Sequence, residues 1–199
     1  MDSPDIFFVS EFSDIPPVFH SDLTQAPFEN CVLCEQFLLK DGTPYVIEKA
    51  FKRNLKLQIT NTLFEYAICM DCVEKMREVI SKESAIAMEK YMAERVDLAK
   101  RRQELIAAKD FTIESWLGKC IITEKPMETL SEYQISCQCD GSSMLYTFLP
   151  YMISEEAILE LVENISEKTK DELDGFRDTF LGPSPEIQDL LPDRPLVLI

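Results

Sequence analysis

Two Cys-x-x-Cys pairs constrain this chain more than any other feature of its sequence. The first reads Cys31-Val-Leu-Cys34, and the second, after 34 intervening residues, reads Cys69-Met-Asp-Cys72. Two cysteines at this spacing can occupy two corners of a tetrahedron around a metal ion, with metal–sulfur distances of about 2.3 Å. Together the two pairs predict a structural zinc site with four ligands, although four thiolates can also hold iron.

The residues around each pair indicate which elements carry the ligands. The turn-forming run Asp41-Gly42-Thr43-Pro44 separates residues 37–39 from residues 45–47 and predicts a β-hairpin there. Residues 63–68 indicate another strand that leads into the second pair. After Cys72 the apolar side chains recur with a helical period, so the second pair is expected at the first turn of a helix. Free N–H groups and the helix dipole stabilise thiolates at such a position.

A cysteine knuckle, a β-hairpin and a helix that carries the last two ligands follow one another here. In this order they resemble a treble-clef zinc finger over about residues 28–80. The resemblance names a fold group and no particular family. It implies that the zinc site holds together the amino-terminal half of the fold.

Cysteine and histidine usage bears on compartment and catalysis. The chain has seven cysteines, and its start lacks the basic residues and the apolar run of a secretory signal. We therefore expect a reducing compartment and a cytoplasmic protein. The only histidine, His20, is expected to be exposed rather than a ligand. Because the usual general base for a nucleophilic cysteine or serine is missing, no catalytic residue is predicted.

Charge and hydropathy restrict the classes of partner. Twenty basic against 36 acidic residues give a net charge of −16, and such a surface repels nucleic-acid phosphates. No run approaches the about 20 apolar residues of a membrane-spanning helix, so no membrane partner is expected. One basic cluster stands out: Lys49, Lys52, Arg53 and Lys56. It is either a patch for phosphates or an acidic partner, or a solvated strand and turn, which we prefer.

The amino-terminal segment, residues 1–30, contains acidic residues but no lysine or arginine. It carries too many large apolar side chains for a purely disordered tail. We expect an extended segment that docks on the body of the protein through Phe7, Phe8 and Phe12.

Residues 31–109 are interpreted as the zinc-binding module followed by a long central helix. From Cys72 to Lys109 the sequence contains neither glycine nor proline. Alternating charges indicate an exposed helix face with ion pairs. Ser81 or Ser84 could cap a second helix, so a bent helix packed on the body is preferred to a straight one.

Residues 110–182 are interpreted as a second α+β unit and a degenerate internal repeat. Cys120–Met127 is similar to Cys31–Leu38, and Glu132–Cys139 is similar to Glu65–Cys72. In this alignment Thr123 replaces the second cysteine, and the pair Cys137-x-Cys139 lacks the two-residue spacing, so the set of metal ligands is incomplete. The second unit has Ser154 and Ser166 as caps of two carboxy-terminal helices.

Three thiols of this second unit leave an alternative open. Cys120, Cys137 and Cys139 could bind a metal with Asp140 or water as the fourth ligand, as in a metal-dependent hydrolase. A Cys-x-Cys pair suits one tetrahedral ion poorly, however, and no cluster of histidine or glutamate supplies a base. Vestigial or packing cysteines are the preferred interpretation.

The sequence therefore predicts an α+β fold with four parts. These are a treble-clef-like zinc module, a long central helix, a degenerate second knuckle-and-strand unit with two carboxy-terminal helices, and an extended tail over residues 183–199. The predicted function is a non-catalytic, cytoplasmic zinc-binding protein that acts through contacts with a protein partner. Zinc-dependent nucleic-acid binding and the metal-dependent hydrolase are the alternatives.

Overall fold

The computed structural model describes residues 11–181, and in this part of the chain six strands form one antiparallel sheet. The strands are β1 (Glu11–Asp14), β2 (Pro44–Asn54), β3 (Ile59–Cys69), β4 (Glu132–Asp140), β5 (Ser143–Tyr146) and β6 (Tyr151–Ser154). Their order is β1-β5-β4-β2-β3, and β6 also pairs with β4. The two central strands, β2 and β4, therefore each have strand neighbours on both sides.

Six α-helices complete the described part of the fold. They are α1 (Met70–Val79), α2 (Lys82–Arg95), α3 (Leu98–Ala107), α4 (Ile113–Leu117), α5 (Glu155–Glu163) and α6 (Glu167–Phe176). Short 3-10 turns lie at Pro17–Phe19 and Met127–Thr129, and a π-helical turn, Arg177–Leu181, extends α6. The predicted mixture of helices and antiparallel strands is thus confirmed.

The first hairpin is longer than predicted and lies further along the chain. β2 pairs with β3 over their whole lengths, whereas Phe37 forms only an isolated bridge with Asn30. The tight turn follows Asn54, whose side-chain oxygen accepts the backbone N–H groups of Lys56 and Leu57. The run that begins at Asp41 does form a turn, in which the N–H of Thr43 donates to the carbonyl of Lys40 over 3.1 Å, but this turn only leads into β2. The hairpin predicted across residues 37–47 was therefore wrong, because an asparagine-capped turn closes the ladder instead.

The long central helix is interrupted twice. Ser81 caps α2 by accepting the N–H of Ser84, as the sequence suggested. A second break follows at Val96, and there Asp97 caps α3 by accepting the N–H of Lys100. The break at Ser81 agrees with the preferred bent helix, whereas the break at Val96 was not predicted, and capping side chains start a new helix at each break.

The described part of the amino-terminal segment contacts the sheet through other residues than predicted. β1 pairs with β5, while Ile15 and Phe19 are buried in the core. Phe12 is 72% exposed, so its predicted role as a docking residue was wrong. It sits on a strand whose partner covers its backbone and leaves this side chain in solvent. The other predicted contacts, Phe7 and Phe8, lie outside the described residues, as does the tail 183–199.

The core extends across the two central strands. Trp116 is fully buried, and its indole N–H donates to the carbonyl of Asp110. Its ring lies 5.0 Å from that of Tyr146 on β5. On the other side of the core, Tyr66 on β3 contacts Phe176 on α6 in an edge-to-face arrangement. Over residues 11–181, every helix is too short or too polar to span a lipid bilayer.

Candidate metal centre

The structure brings the sulfur atoms of both Cys-x-x-Cys pairs together. The four sulfurs, which we call the four-cysteine cluster, all lie within 4.8 Å of one another: Cys31, Cys34, Cys69 and Cys72. The Sγ atoms of Cys34 and Cys69 are 3.7 Å apart. A regular tetrahedron with metal–sulfur distances near 2.3 Å has sulfur–sulfur edges of about 3.8 Å. The cluster is therefore compatible with a zinc site.

The first two cysteines lie in a tight turn that we call the first knuckle, residues 30–37. The N–H of Cys31 donates to the carbonyl of Gln36 over 2.9 Å, and Glu35 adopts a left-handed φ of 60° that closes the turn. The N–H of Val32 then donates to the carbonyl of Ala67 on β3, also over 2.9 Å. These bonds fix the first pair beside the end of the strand that leads to the second pair.

The last two cysteines lie where β3 becomes α1. Cys69 is the last residue of β3 and the N-cap of α1, and Cys72 lies in the first turn of that helix. The backbone N–H of Cys69 donates to the sulfur of Cys31 over 3.4 Å. Such an N–H···S contact stabilises a thiolate, and the positive end of the helix dipole acts in the same direction.

The protonation of these thiols differs with their surroundings. Burial acts to raise the pKa of Cys31, but backbone N–H groups of Cys69, Cys34 and Leu33 lower it to about 7. For Cys72, burial and the neighbouring cysteines raise the pKa well above its ordinary value. Four thiolates cannot be crowded together without a compensating cation, which is the role that a bound metal ion has in such a cluster.

Three of the four cysteines are buried, and Cys34 is exposed. If all four sulfurs bind one tetrahedral ion, the coordination sphere is closed. No position remains for water or substrate, so the arrangement has the properties of a structural site rather than a catalytic one.

A second turn has the same backbone structure as the first knuckle. We call it the second knuckle, residues 119–126. The N–H of Cys120 donates to the backbone carbonyl of Lys125 over 2.9 Å, and Glu124 has a left-handed φ of 58°. The N–H of Ile121 donates to the carbonyl of Met152 over 3.0 Å. Each contact has its counterpart in the first knuckle at Cys31, Glu35 and Val32. The two turns therefore share one pattern of backbone hydrogen bonds.

The strand that follows the second knuckle was aligned wrongly from the sequence. Glu132–Cys139 lies in β4, which corresponds to β2 and not to the end of β3. In the first hairpin Tyr45 lies opposite Cys69, and in the second Tyr133 lies opposite Ser154. The counterpart of Glu65–Cys72 is therefore Pro150–Ala157. The Cys-x-Cys pair of β4 misled the comparison because it resembles a shortened ligand pair.

With this alignment, the four ligand positions of the second unit hold Cys120, Thr123, Ser154 and Ala157. The sulfur of Cys120 accepts the N–H groups of Thr123 and Ser154 at 3.3 and 3.2 Å. Burial acts to raise the pKa of Cys120, but hydrogen bonds from Ser154 and Thr123 hold it below its ordinary value. The hydroxyls of Thr123 and Ser154 lie 3.3 Å apart.

The alternative site at Cys120, Cys137 and Cys139 is not assembled. Cys137 and Cys139 are buried on one face of β4 with their sulfurs 3.7 Å apart. Between residues 11 and 181, however, only the four-cysteine cluster brings three or more potential ligands within 4.8 Å of one another. The geometry thus gives no support to a second metal site at these three thiols.

The basic cluster predicted between the pairs does not form a continuous patch. Lys49 is 1% exposed and ion-pairs with Asp22 and Glu65. Lys52 pairs with Glu132, whereas Arg53 donates to the carbonyl of Met127 and lies over the ring of Tyr133. Lys56 is exposed in the turn after β2. Since three of the four cations contact groups of the protein itself, this surface offers little to a phosphate backbone.

A cavity that no sequence pattern indicated lies next to the metal centre. Its volume is about 580 Å³, and residues of α1, α2 and the sheet line it. Its walls are largely apolar and rich in methionine, with Glu48 among the few charged residues. We call it the methionine groove; its methionines are Met70, Met76, Met88 and Met92. Met76 is buried, whereas Met70, Met88 and Met92 are partly exposed in the groove.

Comparison with protein-family models, with curated proteins and with solved structures gave no match.

Proposed function

We propose that the four-cysteine cluster binds one zinc ion and that this ion is structural. The observation that carries the proposal is the approach of four sulfurs to within 4.8 Å of one another from two segments far apart in sequence. The knuckle, the hairpin and the helix that carries Cys69 and Cys72 follow one another as in a treble-clef finger. In this arrangement, binding of the ion contributes directly to the free energy of folding.

Metal analysis of the purified protein tests this proposal. We expect one equivalent of zinc per chain in the wild type and a loss of that zinc in Cys69→Ser. The matched control is Cys137→Ser, which removes an equally buried cysteine outside the cluster and should retain the metal. An iron content in place of zinc, or an unchanged metal content in Cys69→Ser, would contradict the proposal.

We further propose that the protein acts in the cytoplasm as a non-catalytic module that binds a protein partner. The closed coordination of the ion supports a role without chemistry at the metal. The methionine groove supports a partner that inserts apolar side chains, because methionine adapts its shape to different surfaces. The net charge of −16 favours a partner segment that is basic and amphipathic.

The groove can be tested separately from the metal. Met88 and Met92 lie on its α2 side and are partly exposed. In affinity capture, the wild type should bind a basic amphipathic partner, and the double variant Met88→Glu, Met92→Glu should fail to bind it. Leu23→Glu is the matched control, since Leu23 is 91% exposed and lies outside the groove. Equal retention by all three proteins would exclude the groove as the binding surface.

A further inference from the structure

The two halves of the sheet meet at a pair of equivalent residues. Glu48 lies opposite Tyr66 in the first hairpin, and Ser136 lies opposite Tyr151 in the second. Glu48 and Ser136 are themselves directly opposed where β2 pairs with β4. An antiparallel ladder has a local two-fold axis through an opposed pair. Here this axis relates the Glu48–Tyr66 pair of the first hairpin to the Ser136–Tyr151 pair of the second.

The helix caps repeat the same relationship outside the sheet. Ser81 caps α2 and Ser166 caps α6, each by accepting an N–H three residues further along. The N–H of Ser81 donates to the hydroxyl of Thr169 over 3.2 Å, and the N–H of Ser166 donates to that of Ser84 over 2.9 Å. The two bonds are reciprocal, so the approximate two-fold symmetry extends from the sheet to these helices.

We propose that the second half of the chain is a copy of the zinc module whose metal centre is latent. Its four ligand positions are Cys120, Thr123, Ser154 and Ala157, of which only the first still carries a thiol. This inference rests on the proposed zinc occupancy of the four-cysteine cluster. It identifies a second site that would take the same tetrathiolate-bound ion if its three lost ligands were restored.

Hydrogen bonds have replaced the ion at the latent centre. In both halves, the backbone N–H at the helix cap donates to the knuckle sulfur, at 3.4 Å from Cys69 and 3.2 Å from Ser154. In the second half, the hydroxyls of Thr123 and Ser154 also approach each other. They bridge the knuckle and the helix where a shared metal ion would otherwise do so.

The burial of the four positions also corresponds. Cys120, Ser154 and Ala157 are buried, as are their counterparts Cys31, Cys69 and Cys72, while Thr123 is partly exposed where Cys34 is exposed. Ala157 lies in the first turn of α5, after the cap Ser154, as Cys72 lies in that of α1. A sulfur restored at each position therefore originates from a backbone already placed for tetrahedral binding.

The experiment is to restore the lost ligands and to count metal ions. The variant Thr123→Cys, Ser154→Cys, Ala157→Cys should bind two equivalents of zinc under reducing conditions, against one for the wild type. Cobalt in place of zinc should give twice the thiolate-to-cobalt charge-transfer absorption. The matched control adds Cys120→Ser to the triple variant and should return the stoichiometry to one.

The outcomes separate this inference from the function proposed above. A folded triple variant that binds no more zinc than the wild type overturns the latent centre. Zinc bound only by the triple variant, and lost with Cys120→Ser, supports the latent centre and rejects zinc in the wild type. If the triple variant folds neither with nor without zinc, the double variant Thr123→Cys, Ser154→Cys decides. If this double variant binds more cobalt than the wild type, the inference is supported. If it binds no additional cobalt, the inference is overturned.

Discussion

The ammonium nitrogen of Lys49 lies 2.8 Å from Oε2 of Glu65, its direct partner across the β2–β3 ladder. The same nitrogen contacts Asp22 at 2.7 Å and the carbonyl of His20 at 2.6 Å. Lys49 thus joins the amino-terminal segment to strands β2 and β3. A cation predicted to lie in solvent is instead an internal structural link.

Replacing Lys49 by methionine should destabilise the protein by about 3 kcal/mol, because Glu65 then keeps a largely buried charge without its cation. Lys90→Met is the matched control on the surface. Lys90 pairs with Glu94 on α2, where the two side chains are 71% and 58% exposed, so its loss should cost less than about 1 kcal/mol. Chemical denaturation measures both values, and equal effects would contradict the role assigned to Lys49.

The ion pair between Lys49 and Asp22 should also give the protein an acid-sensitive contribution to stability. Burial acts to raise the pKa of Asp22, but hydrogen bonds from Lys49 and Thr62 and the charge of Lys49 lower it below its ordinary 3.8. A carboxyl whose pKa is lower in the folded than in the unfolded state stabilises the protein at pH values above its unfolded-state pKa. This stabilisation is lost as the pH falls through the folded-state pKa.

Because the Asp22 side chain is 52% exposed, we expect a contribution below about 1 kcal/mol. Unfolding measured between about pH 6 and pH 3 should therefore show a steeper loss in the wild type than in Asp22→Asn. A parallel dependence for the two proteins would show that this carboxylate contributes nothing.

Removal of the metal should affect the two knuckles differently. With zinc chelated under native conditions, hydrogen exchange at the amides of Cys31, Val32 and Glu35 should accelerate at least tenfold. The corresponding amides of Cys120, Ile121 and Glu124 should change much less, because hydrogen bonds alone hold the second knuckle. Equal acceleration at both knuckles would argue against a metal confined to the first.

The serine caps on the two-fold axis should be coupled energetically. Ser81→Ala and Ser166→Ala should each cost about 1 kcal/mol as lost helix caps. Their Oγ atoms lie 3.2 Å apart, so the double variant should depart from additivity by at least about 0.5 kcal/mol. Asp97→Ala, which removes the cap of α3, is the control and should add to Ser81→Ala without coupling.

Local chemistry determined what could be predicted from the sequence. The cysteine spacing predicted which sulfurs meet, and the serines at 81 and 166 predicted helix starts, because both signals depend on residues within one turn. The hairpin end was missed because Asn54 forms its turn without glycine or proline. The burial of Lys49 depends on Asp22, a long-range contact that no local pattern reveals.

The repeat was detected but aligned wrongly for a related reason. The first hairpin joins two long strands by a short turn, whereas the second inserts β5 between β4 and β6. Similar residue types therefore occur at different distances from the knuckle in the two halves. Only the strand register, with Tyr45 opposite Cys69 and Tyr133 opposite Ser154, identifies the true counterparts.

The pairing of β2 with β4 has a practical consequence for work on isolated fragments. A fragment that stops before β4 would turn β2 into an edge strand, with a row of free N–H and C=O groups and apolar neighbours. Such edges recruit strands from other molecules, so the fragment would tend to self-associate even with its metal bound.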